Sequence, residues 1–149
     1  MIGKLSSLVT RLGRRMQPLA LLLLRLAWGW QLVESALGHL TNFSKTADYF
    51  RGLGIPSPGL SAAMSASTEL VGGALLILGL YARLASVPLL VNFCVAYAFA
   101  NRAALGELLH LRPDDFINDS AFPFLLTSLL VIAFGPGRIS VDAKIGNEG

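Results

Sequence analysis

Charge is scarce in this sequence. Only 14% of its 149 residues are Asp, Glu, Lys or Arg, against 54% hydrophobic, well away from the balance of a soluble domain. Cysteine is scarcer: Cys94 is the single one, which excludes an intrachain disulfide and a cysteine-based metal cluster. There are two histidines, His39 and His110, and both fall at or beyond the edge of an apolar segment, where they suit haem ligation poorly. A glycine-rich dinucleotide fingerprint and metal-ligand spacing are missing as well. Intrinsic redox cofactors and metals are therefore not expected, and nothing in the sequence points to a nucleic acid partner.

What is present is long apolar runs. Gly52 to Thr68 continues into Leu70 to Ala82 with only Glu69 between them, followed by Leu84 to Asn101 and Ser120 to Gly137; Leu19 to Leu40 is apolar apart from Arg25 and Glu34. Each is long enough for a hydrocarbon core about 30 Å thick. The runs are apolar nearly all round, unlike the two-faced helices of a soluble bundle. The expected fold is all-α: one membrane domain over 1–149, a four transmembrane helix bundle with spans near 19–40, 60–82, 84–101 and 120–137. Before the first span, Ile2, Leu5, Leu8, Val9, Leu12 and Met16 recur at helical spacing among Lys4, Arg11, Arg14 and Arg15. That pattern predicts a short basic amphipathic helix over 1–16 on the membrane surface, with Pro18 turning the chain inward.

Lys and Arg concentrate at the two ends and in the turn holding Arg83, which places both termini in the cytoplasm by the positive-inside rule. The segments 41–59 and 102–119 then face outward. The first holds Tyr49, Phe50, Leu53 and Ile55 and is expected to pack back on the bundle as a short helix; Asp119 or Ser120 is the expected N-cap of the last span.

Glu69 is the residue that most needs explaining. An ionised Glu inside a span opposes insertion by roughly 2 to 3 kcal/mol. Its neighbours at helical spacing are Ser65, Ala66, Gly72 and Gly73, a stripe of small residues where membrane helices approach closely, so Glu69 is expected to face the bundle interior. Arg25 is the expected partner, with snorkelling to the headgroups as its alternative, and Asn92 could complete a buried polar cluster. Trp28 shares the Arg25 face and could form an aromatic wall. Glu34 points to another side, near the outer interface and His39, and both are secondary candidates. Such a cluster in an apolar cleft could bind a quinone or another amphipathic molecule, and a Glu in low dielectric can exchange a proton. The plain structural reading is that Arg25 and Glu69 neutralise one another and fix helix register.

Taken in order, LLRLAWGW, YFRGLGIPSPG, ELVGGALLILGLYAR and GPGRISVD resemble the DoxX family of small four-helix bacterial membrane proteins, over roughly Leu22 to Asp142. Many members carry a Gly and Lys near the end of the first span, where this chain has His39. The resemblance implies an inner-membrane protein, and its founding members are similar to subunits of thiosulfate:quinone oxidoreductase. Arg25, Glu69, Arg83 and Asp142 match the family's recurrent polar positions. It implies an accessory or quinone-contacting subunit of an oxidoreductase system, with a redox partner protein or a second copy as candidate partners. A binder or transporter of a small hydrophobic molecule, or a structural assembly subunit, is the alternative.

Overall fold

The computed structural model describes residues 2–146, with side chains from Ser6 onward; the expectations resting on Met1 and on the side chains of Ile2, Lys4 and Leu5 lie outside the described residues. Every regular element among them is a helix: α1 (Ile2–Thr41), α2 (Phe43–Gly52), α3 (Pro58–Leu78), α4 (Ala82–Phe99), α5 (Arg102–Leu109), α6 (Asp114–Ile117), α7 (Phe122–Phe134) and α8 (Val141–Ile145). Helices α1, α3 and α4 are long and apolar enough to cross a membrane, and α7 is a shorter apolar helix. Together they make a membrane helical bundle. Its outer surface is apolar, with Trp30, Val71, Leu84, Val91 and Leu129 all exposed, as expected where lipid is the solvent.

Toward both ends of the chain, boundaries differ from expectation. Helix α1 runs without a break through Pro18, so there is no turn between a surface helix and the first span. Breaking a helix in apolar surroundings would orphan several backbone groups, whereas a proline within it removes only one hydrogen bond. Residues 6–17 of α1 are exposed throughout, with Leu8, Val9, Leu12 and Met16 uncovered. At the other end of the chain, α7 has 13 residues, about 20 Å, and does not fill the 120–137 run. Proline near its start and Gly135 at φ 75° fix its limits. Protein covers part of the irregular backbone that follows: Gly135, Pro136, Ser140 and Asp142 are buried, whereas Arg138 and Ile139 are exposed.

The antiparallel pair α1 and α3 forms the centre of the bundle. A Cβ on Gly73 would fall 2.8 Å from the Gly29 carbonyl oxygen and 2.9 Å from Leu32 Cβ, while one on Gly29 would meet Ile77 and the Gly73 carbonyl. The two glycines therefore let the backbones touch, which sets both spacing and register. Gly73→Ala should lower stability by about 1 to 3 kcal/mol by forcing α1 off α3. Gly13→Ala, with nothing within 4 Å, should be neutral or slightly stabilising. Unfolding in mixed micelles followed by circular dichroism would compare them, and equal effects would refute the close-contact reading.

On α4 and α7, Leu89, Phe93, Tyr97 and Val131 continue the core around Leu32 and Leu76. The Tyr97 hydroxyl donates to the Phe116 carbonyl at 2.8 Å and the two rings stack, tying the α5–α6 segment down. Asp119 acts just before α7, where its Oδ1 accepts from the Ala121 amide at 2.8 Å.

Candidate functional site

Glu69 is buried, 6% exposed, on the face of α3 that meets α1 and α4. Its Oε1 accepts from Asn92 Nδ2 of α4 at 3.1 Å and from Ser65 Oγ one turn away at 3.4 Å. Its Oε2 accepts from Ser35 Oγ of α1 at 3.1 Å, and His39 Nε2 lies 3.9 Å from the same oxygen. Ser35 Oγ and His39 Nε2 are themselves 3.3 Å apart. Neutral groups and one imidazole thus hold the carboxylate, on three different helices.

Arg25 does not belong to this cluster. The expected Arg25–Glu69 pair is replaced by two separate arrangements at opposite ends of the bundle. Register is the reason: Ser35 lies opposite Glu69, and Arg25, ten residues or about 15 Å further down α1, lies opposite Gly79. There Arg25 is fully buried, donates through Nη2 to the Ile139 carbonyl and is attracted by the Asp142 carboxylate. It neither pairs with Glu69 nor snorkels. Asp142 in turn accepts from the backbone amides of Tyr81 at 2.8 Å and Ala82 at 3.0 Å, and its own amide donates to the Gly79 carbonyl. A carboxylate from α8 therefore caps α4 from outside, while Ser140 caps α8 itself.

The other candidates divide. Asn92 joins Glu69 as expected. His39 reaches the cluster because α1 stays helical to Thr41, placing it one turn beyond Ser35. Glu34 is exposed on another face of α1 and takes no part. Trp28 packs edge-on against Phe124 at 5.6 Å, so it stands behind the aromatic wall and does not form it. Ser35 and Ser65 are ligands of the carboxylate that residue types alone do not single out, although their spacing from His39 and Glu69 carries the signal.

The cluster lines an open cleft of about 450 Å³. Phe93, stacked on Phe124 at 5.2 Å, lines it together with Phe99, and so do Tyr49 and Phe50 of α2 and Leu53. Asp119 and Asn101 reach its rim. The volume is in the range of small-molecule sites, about 300 to 1,000 Å³, and an apolar enclosure with a few converging polar atoms is their usual chemistry. The hydroxyls and amide can orient a ligand oxygen, and Glu69 with His39 can exchange a proton with it. Groups of three or more potential metal ligands are absent among the described residues.

The DoxX family model matches residues 20–102, more than half of the chain. The chain belongs to the DoxX family. The match takes in Glu69 with Ser35, His39, Ser65 and Asn92, and Arg25, but stops short of Asp142. This DoxX protein is also 31% identical over 110 residues to an uncharacterized membrane protein of Mycobacterium tuberculosis, covering 66% of the chain. It spans 64% of that relative's length. No solved structure matches.

Proposed function

We propose that this DoxX protein binds a quinone, or a molecule with a similar polar oxygen and apolar body, in the Glu69 cleft. It serves there as the membrane-embedded, quinone-contacting subunit of an oxidoreductase system whose redox centres reside in a partner. We place it in the bacterial inner membrane with both termini cytoplasmic. The observation that carries the reading is a carboxylate held by hydroxyls, an amide and an imidazole, with neither Arg nor Lys bonded to it among the described residues, in a cleft lined largely by apolar side chains. A charge meant only to be neutralised would sit against Arg25; this one faces a space of ligand size.

Gentle purification followed by solvent extraction and mass spectrometry tests it. The wild-type protein should retain quinone, and Glu69→Gln should lower retention and quinone-linked activity by roughly tenfold or more, the weight of a hydrogen bond to a charged group. Unchanged retention in both Glu69→Gln and Glu69→Leu would overturn the site. Retention of quinone or another apolar molecule by the protein alone, with no oxidoreductase partner at any stage of purification, would favour a stand-alone binder or transporter.

A further inference from the structure

At the end of the bundle that carries the α3–α4 turn lies a second open cleft, of about 600 Å³, remote from Glu69. Three arginines from three segments line it: Arg14 of lower α1, Arg83 in the first turn of α4, and Arg138 in the segment after α7. Leu21, Leu84 and Phe134 give it apolar walls. Among the described residues the carboxylate in the lining is Asp142, and both its oxygens already receive backbone amides. Arg14 and Arg138 thus bring two cations to a space whose carboxylate, among the described residues, is already occupied.

Local backbone supports this arrangement. Gly135, at φ 75°, lies directly beneath the Arg83 guanidinium, and a Cβ there would stand 3.2 Å from Nε and Nη2. Depth adds a second constraint. Helix α3 has 21 residues, about 31 Å, so its turn end lies one hydrocarbon thickness from its start. The cleft therefore sits where acyl chains give way to headgroups, and Leu84 and Phe134 are both exposed beside it.

The geometry points to a binding site for a phosphate-ester anion, filled by the headgroup of an anionic phospholipid whose acyl chains run along Leu84 and Phe134. Guanidinium forks match phosphate oxygens bidentately, and Arg14 and Arg138, from two different segments, face one space beside a carboxylate that is already engaged. Continuity between the cationic lining and exposed apolar side chains selects an amphiphile over a free ion. The site is independent of the Glu69 cleft, so failure of one reading leaves the other standing.

Delipidated protein in detergent, titrated with phosphatidylglycerol or phosphatidylcholine and read by native mass spectrometry, provides the test. Phosphatidylglycerol should be retained in preference to phosphatidylcholine. Arg138→Gln should weaken retention roughly fivefold, and Arg14→Gln with Arg138→Gln about 25-fold, following about 1 kcal/mol per basic residue at a membrane surface. Arg138→Lys should recover much of the loss. Arg11→Gln with Arg15→Gln removes the same charge outside the cleft and should leave retention unchanged. Equal losses in that control, or equal retention of the two lipids, would overturn the site. Displacement of the lipid by millimolar glycerol 3-phosphate would overturn the lipid assignment in favour of a soluble phosphate ester. Should the double variant fail to elute as a single species, the Arg138→Gln and Arg138→Lys comparison decides.

Discussion

Gly79→Ala is expected to destabilise the bundle by about 3 to 5 kcal/mol, more than any other single methyl group added to the chain. Backbone conformation and steric overlap both contribute, independently of each other. Gly79 ends α3 at φ 65°, and its amide donates to the Leu76 carbonyl while that of Leu80 donates to Leu75, the paired bonds of a Schellman turn. A left-handed conformation there costs a β-carbon-bearing residue about 1 to 2 kcal/mol. The steric overlap costs more. The new Cβ would overlap Arg25 Nη1 and lie 2.7 Å from Ser140 Cβ. Arg25 is fully buried and cannot swing into solvent, so the guanidinium must leave the Ile139 carbonyl or the 137–142 segment must lift away. Unfolding in mixed micelles would measure the loss, and a change below about 1 kcal/mol would show that this end of the bundle is loose enough to absorb a methyl group.

Asp142→Ala should cost a similar amount, about 3 to 5 kcal/mol, for an electrostatic reason. It removes the acceptor of two backbone amides at the start of α4, where Tyr81 is itself strained at φ 45°, and leaves a buried guanidinium without its counter-charge. Arg25 Nε and Nη1 have no hydrogen-bond partner among the described residues, so little remains to compensate. The reverse change should be milder. In Arg25→Met the carboxylate keeps both amides, and a flexible apolar chain replaces an ion that is expensive to bury. The expected order is therefore Asp142→Ala worse than Arg25→Met, with a coupling above 0.5 kcal/mol in the double variant. Equal and additive effects would mean that the two residues act separately.

These arrangements show which parts of the molecule can be read from residues alone. Charge-free runs disclose the spans because hydrocarbon excludes charge whatever the neighbours are. Small residues around Glu69 disclose its inward direction, and Asn92 follows from helical spacing. Arg25 departs from expectation because its partner depends on inter-helix register. That register is set by where α3 stops, at Gly79 instead of near Arg83, and by the Gly29–Gly73 contact, neither of which apolarity alone identifies. For the last helix, lack of charge over 120–137 marks an apolar run but not helicity, which Pro123 and Gly135 limit to 13 residues. The Asp142 cap escapes a local reading because its carboxylate is expected to serve its own turn, and instead it serves one about 60 positions earlier.

The separation between Arg25 and what receives it also bears on how the chain is made. The Ile139 carbonyl lies 114 residues downstream, so the first span enters the bilayer long before its guanidinium has a seat. Until then the charge must ride at the membrane boundary, reached by its own flexible stem. Closure of this end is thus a late step in biogenesis, and a ribosome that stops after α7 releases a bundle with its Glu69 cluster assembled and its first helix still unclasped.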